Sequence, residues 1–232
     1  MFLDNNINRV PITVIVGAYG SGKSEVSVNL AIAKSGSGRV YLADLDIINP
    51  FYRSADTADL LRERGIILIS SIYAGTNVDV PAVPGEINRV FADQDASAVL
   101  DIGGEDLGAR IVGSLKPQLE AADYQILMVV NPFRPFTDTA EKIVEAARAL
   151  EAACKSKIDG FVYNPNLLEF SSSDLVDEGW ATMSAAADML NIPIRLITIM
   201  DEYAEPDWTF SQADIPVLRM ERTIFYPSDD RV

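Results

Sequence analysis

Short apolar runs alternate with amphipathic stretches along nearly the whole chain. Ile12 to Val16 are five apolar or β-favouring residues stopped by Gly17; after a glycine-rich break, Val26, Leu30 and Ala33 recur at helical spacing. Arg39 to Ala43, Ile66 to Ile72, Ala98 to Leu100, Tyr124 to Val130, Gly160 to Tyr163 and Ile194 to Ile199 repeat the strand pattern, and Ile215 to Leu218 with a Phe-Tyr-Pro stretch supplies a closing segment. Between them helices are expected from Ala55 to Arg64, closed by Gly65, from Glu86 to Ala92, and from Ala109 to Ala122, where Pro117 should kink or divide the helix. Two more are expected: Thr137 to Lys155, with Ile143, Ala147, Leu150 and Cys154 on one face, and a helix capped by Ser171 to Ser173 that runs to about Leu190. Asn49-Pro50, Asn131-Pro132, Asn164-Pro165 and the loop from Gly75 to Gly85 mark the turns.

Strands separated by helices of this length predict a doubly wound α/β fold, a mostly parallel sheet of about seven strands with helices on both faces. In such a sheet ligands bind at the carboxyl ends of the strands. The glycine-rich break, Asp44, Asp101 and Asn131 all fall at strand ends, so one cleft can collect them.

At 232 residues with no evident linker, the chain is expected to form a single domain from end to end. A net charge of −15 argues against a broad nucleic-acid-binding face, which needs an excess of Lys and Arg. There is no histidine, so the commonest general base and transition-metal ligand are missing. Cys154 is the single cysteine; it excludes an internal disulfide and reads as a small core or surface thiol. The first residues lack the basic and apolar regions of a signal peptide, and no apolar run is long enough to cross a bilayer. A cytoplasmic protein without a membrane partner follows.

The break itself carries chemistry. Gly17-Ala18-Tyr19-Gly20-Ser21-Gly22-Lys23-Ser24 satisfies G-x-x-x-x-G-K-[ST] between an expected strand and an expected helix. Three glycines let the backbone curl and turn consecutive N–H groups inward, making an anion-sized nest at a helix N-terminus. Lys23 is expected to reach the β and γ phosphates and Ser24 to ligate Mg²⁺, with Glu25 completing the nucleotide-contacting stretch. Asp101 ends an apolar strand, as a carboxylate that holds Mg²⁺ does, and Asp101-Ile102-Gly103-Gly104 fits D-x-x-G. Strand alternation puts Asp44 and Asp46 on one face with Leu45 on the other, so either could orient an attacking water or touch magnesium.

Taken in order, the glycine loop, Asp44-Leu45-Asp46 with a following Asn-Pro, Asp101-Ile102-Gly103-Gly104, and Val129-Val130-Asn131-Pro132 resemble the ParA/MinD class of P-loop ATPases, which includes the nitrogenase iron protein, metal-insertion ATPases and cobyrinate-amidating enzymes. The resemblance spans about residues 10 to 220. It implies Mg-ATP binding, a homodimer formed or tightened by ATP, and hydrolysis used as a conformational clock. It makes Asp44 and Asp46 the pair acting on water, Asp101 the magnesium carboxylate, Gly104 a γ-phosphate sensor and Asn164 a reader of adenine. The class usually carries a second lysine two residues into the loop; here that position is Ala18. Arg53 and Arg134 are alternatives for it, each also readable as a solvated surface charge.

The leading expectation is therefore a Mg²⁺-dependent ATPase switch serving an unidentified protein partner. An ATP-dependent small-molecule transferase or ligase and a nucleotide-regulated binding module with little hydrolysis are the alternatives. ATP is favoured over GTP because Asn164-Pro165-Asn166-Leu167 lacks the Lys and Asp of the guanine motif N-K-x-D.

Overall fold

The computed structural model describes residues 10–46, 55–70, 85–103 and 106–223. Gly104, Arg53, Asn49-Pro50, most of the loop from Gly75 and the Phe-Tyr-Pro stretch lie outside them. In chain order the elements are β1 (Ile12–Gly17), α1 (Lys23–Ser35), β2 (Val40–Leu45), α2 (Ala55–Glu63), β3 (Ile66–Ser70), α3 (Asn88–Ala92), β4 (Ser97–Ile102) and α4 (Asp106–Glu120). They continue with β5 (Tyr124–Val130), α5 (Ala140–Cys154), β6 (Gly160–Tyr163), α6 (Ser173–Leu190), β7 (Ile194–Met200) and β8 (Val217–Met220).

The strands form one sheet in the order β3-β2-β4-β1-β5-β6-β7-β8. Every neighbouring pair is parallel. Among the described residues the sheet has eight strands, all parallel, in line with the mostly parallel sheet of about seven that was expected: the closing segment after Pro216 pairs with β7 from Val217 to Met220 as a full edge strand.

Strand alternation sends neighbouring residues of β1 to opposite faces. Val14 and Val16 join the core under α4, α5 and α6, through Ile111 and Leu115, Ile143 and Ala147, Val176 and Met183. Ile15 joins the second core, closed by Val26 and Leu30 of α1 and Leu61 of α2. Because both faces are covered, the strands read as continuous apolar runs.

Pro117 does not divide α4, which runs unbroken through it. The lost backbone bond and ring clash, about 3 kcal/mol in an isolated helix, are offset by burial of Leu115 and Leu119 on either side of the proline. At α6 the cap falls where expected, on Ser172, but without a side-chain hydrogen bond; the neighbouring Ser171 Oγ instead accepts the N–H of Leu167 at 2.8 Å. Cys154 is a core residue, and burial raises its thiol pKa to about 11. Among the described residues no helix is long and apolar enough to cross a membrane.

What matters for the site is the position of β1. It lies between β4 and β5, and the chain builds outward from it first towards β3 and then, from β5 on, towards β8. The loop after β1 therefore opens at the point where strand order reverses, the crevice in which open α/β sheets place their ligands.

Candidate functional site

The glycine loop joins β1 to α1 and is held too tightly to accept side chains. A Cβ on Gly17 would lie 2.5 Å from the Val129 carbonyl oxygen and 2.9 Å from Ser21 Oγ. Gly22 caps α1 in the left-handed region, at φ 88°, and a Cβ there would come within 2.3 Å of Asn164 Nδ2. The ammonium of Lys23 donates to the Ala18 carbonyl at 3.0 Å, spanning the loop. Burial lowers the Lys23 pKa, while the charges of Asp101 and then Asp46 act the other way. A buried cation at a helix N-terminus favours an anionic ligand on electrostatic grounds. Ser21 is fully buried in this cradle and its hydroxyl has no hydrogen-bond partner among the described residues. An orphaned donor inside a ring of main-chain amides suits a phosphate oxygen.

On one side of the loop stand the carboxylates. In register, Asp101 of β4 is opposite both Ile15 of β1 and Asp44 of β2, and both carboxylates are buried. Asp44 and Asp46 differ more than alternation implied. Asp44 Oδ1 accepts the backbone N–H of Asp46 at 3.1 Å, fixing the turn that leaves β2. The Asp46 carboxylate packs where a Cβ on Gly103 would be 3.0 Å away, and Asp46 shares a cleft wall with Lys23 and Ser24. The donors here are all oxygens, from Ser24, Asp46, Asp44 and Asp101, which suits a hard cation such as Mg²⁺. No group of three or more metal-ligating side chains converges among the described residues. That agrees with the way Mg²⁺ is usually held, by one or two carboxylates together with phosphate oxygens and water.

The cleft, of about 360 Å³, continues across the strand ends on the other side of the loop. Asn131 and Arg134 follow β5, Asn166 and Leu168 follow β6, Glu202 and Tyr203 follow β7, and Arg222 follows β8. Asn131 builds its turn by donating to Asn166 O at 2.7 Å and accepting from the Phe133 N–H at 3.1 Å. Arg134 is half-buried rather than a solvated surface charge; it lines the cleft, and its Nε is buried without a hydrogen-bond partner among the described residues.

Two residues expected to touch the nucleotide have well-defined structural engagements. Asn164 is buried; its Nδ2 donates to the Ser21 carbonyl at 2.8 Å and its Oδ1 accepts from Thr198 Oγ1 at 2.7 Å. These bonds brace the glycine loop from below. Glu25 lines the cleft, but its Oε1 accepts the Thr223 N–H at 2.6 Å and the Thr223 hydroxyl at 2.7 Å. The sequence reading missed Arg222, Tyr203, Glu202 and Asn166. The first three follow the last two strands, so the strand-end rule applied to β7 and β8 would have found them.

This fold and this loop are those of the P-loop NTPases. Solved structures with the same fold include FtsY from Mycoplasma mycoides, 17% identical with a TM-score of 0.56 over 85% of this chain and 63% of that one. The signal recognition particle 54 kDa protein from Aeropyrum pernix, solved in complex with GDP, is 18% identical with a TM-score of 0.55 over 84% of this chain and 44% of that one. FlhF complexed with GMPPNP and Mg²⁺ is 12% identical with a TM-score of 0.52 over 80% and 64%. At these identities the likeness is one of fold, and the chain spans less than two thirds of each of these structures. No protein-family model matches the chain, and a search of curated proteins finds no relative.

Proposed function

We propose that the protein is a Mg²⁺-dependent nucleoside-triphosphate switch that hydrolyses ATP and passes the change of state to a protein partner in the cytoplasm. The reading rests on the anion cradle: left-handed Gly22 at the mouth of α1, the buried Lys23 ammonium and the unpartnered Ser21 hydroxyl. The order Asp44-Leu45-Asp46, Asp101 to Gly104 and Asn131-Pro132 supports the ParA/MinD-like form of it.

In this account Lys23 and the loop amides carry the phosphate charge, while Ser24 and Asp101 hold magnesium, with Asp44 turned towards its own chain. Asp46 is the carboxylate that orients water for in-line attack on the γ-phosphate, and Gly104 reports the state of that phosphate. Magnesium, when bound, neutralises charge on the phosphate oxygens. The protein contributes positioning and fixed charge rather than covalent chemistry. The state change starts around Asp44 and Asp101, where the metal and phosphate contacts are made and lost.

Adenine is the base assigned, because residues 164–167 carry neither Lys nor Asp of the guanine motif. Two chains of like fold hold guanine nucleotides, so GTP is the competitor to set against ATP in a direct titration. A homodimer tightened by ATP completes the proposal, and sedimentation with and without Mg-ATP tests it. The replacement of the second loop lysine by Ala18 favours a second reading, a nucleotide-regulated binding module with little turnover. Single-turnover decay of bound ATP separates them: measurable decay, with or without a partner, supports the switch, and none leaves the binding module.

A further inference from the structure

The segment leaving β8 is fastened to the glycine-loop helix at two points. Asn29 forms a two-bond ring with Glu221, its Oδ1 accepting that residue's N–H at 2.8 Å and its Nδ2 donating to the carbonyl at 2.9 Å. One turn earlier on α1, Glu25 Oε1 takes both the N–H and the hydroxyl of Thr223. The two side chains lie i,i+4 on one helix face and complete the backbone edge of the segment much as a neighbouring strand would. Arg222, between the two fastened residues, lines the cleft.

The cleft has a direction. Asp101 lies on β4 and Asp46 directly after β2, both strands on one side of β1, whereas β6, β7 and β8 lie on the other. A triphosphate whose metal-bound end meets the carboxylates must therefore run its nucleoside towards β8. Apolar surface suited to a base is present there, from Leu168, Met200 and Tyr203. Arg222 lies near enough to Tyr203 for its charge to act on that hydroxyl.

We propose that Arg222 is a nucleoside-binding residue, set at the base end of the cleft by the Glu25 and Asn29 fastening, where its guanidinium plane covers the base. The proposal rests on the nucleotide reading above. A planar cation is the side chain for this task, because it stacks on an aromatic face while keeping its charge in water. Such a contact strengthens binding of any purine nucleotide and leaves the bare phosphate chain unaffected.

The test is equilibrium titration of the full chain with ATP, GTP and inorganic tripolyphosphate, using wild type, Arg222→Ala, Arg222→Lys, Thr223→Val and Lys23→Ala, each checked for native circular dichroism. Arg222→Ala should lose about five- to tenfold in affinity for both nucleotides and nothing for tripolyphosphate. Arg222→Lys should recover only part of that loss, because it restores charge without the plane, and Thr223→Val should show a smaller loss of the same kind. Should Lys23→Ala abolish binding while Arg222→Ala binds nucleotides as wild type does, the base-end role is overturned and the nucleotide site stands. An equal loss for tripolyphosphate in Arg222→Ala would move the residue to the phosphates and likewise overturn it. Full nucleotide binding by Lys23→Ala would remove the site itself.

Discussion

Replacing Asn164 with alanine separates two roles for one buried carboxamide. The change removes the donor to Ser21 O and the acceptor for Thr198 Oγ1. Thr198 keeps a second acceptor in the Tyr163 carbonyl at 3.3 Å, so most of the penalty falls on the Ser21 carbonyl. A buried polar group left unpaired costs about 1–3 kcal/mol, and a weakened second bond about 1 kcal/mol more, so global stability should fall by about 2–4 kcal/mol. If about 1–2 kcal/mol of this is the energy that holds the loop in its binding shape, the ligand must supply it, and affinity should drop about 5- to 30-fold. The assay is calorimetric titration with ATP, GTP and tripolyphosphate, alongside urea denaturation. Loop bracing predicts the same loss for all three ligands. An altered ATP-to-GTP ratio with unchanged tripolyphosphate affinity would refute this reasoning and support Asn164 as the base reader.

Gly22→Ala should abolish phosphate binding with the fold retained, because its Cβ would meet Asn164 Nδ2 at 2.3 Å in a left-handed backbone; tripolyphosphate titration and circular dichroism check both halves. Asp101→Asn should remove most of the magnesium dependence of ATP affinity, a loss of about tenfold in the presence of Mg²⁺ and little in its absence, read by titration with and without EDTA. Lys34 is buried, donates to the Val10 carbonyl at 3.1 Å, and has its pKa lowered by burial to about 8. The unfolded chain keeps that proton up to the ordinary value of 10.5. Stability should therefore rise with pH between these values, by at most about 3 kcal/mol. Lys34→Met should flatten that rise, as denaturation midpoints at pH 7.5 and 10 would reveal.

The parts of the site that were legible in the sequence are those whose physics is local. A nest of amides needs glycines closely spaced in one loop, a strand and a helix, and all three lie between Ile12 and Ser35. Asp44 and Asp101 could be placed because an apolar run ending on a carboxylate marks a strand end. The distinction between Asp44 and Asp46 was not legible, since it depends on one side chain capping its own turn. The hydrogen bonds of Asn164 were hidden for a different reason: its partners Ser21 and Thr198 are 143 and 34 residues away in sequence. Arg222 owes its place to α1 side chains nearly two hundred residues earlier. The closing segment was legible at Ile215 to Leu218 but its bounds as a strand, Val217–Met220, were not, because its four residues include Arg219 and follow Pro216. An edge strand can tolerate both.

The central claim is that the cradle between β1 and α1 grips a triphosphate through its amides and Lys23. Titration of Mg-ATP into wild type and Lys23→Ala tests it most directly. The account predicts saturable one-site binding to wild type and a loss of at least ~100-fold in the variant, with the fold unchanged. Equal affinity in the two proteins would contradict it.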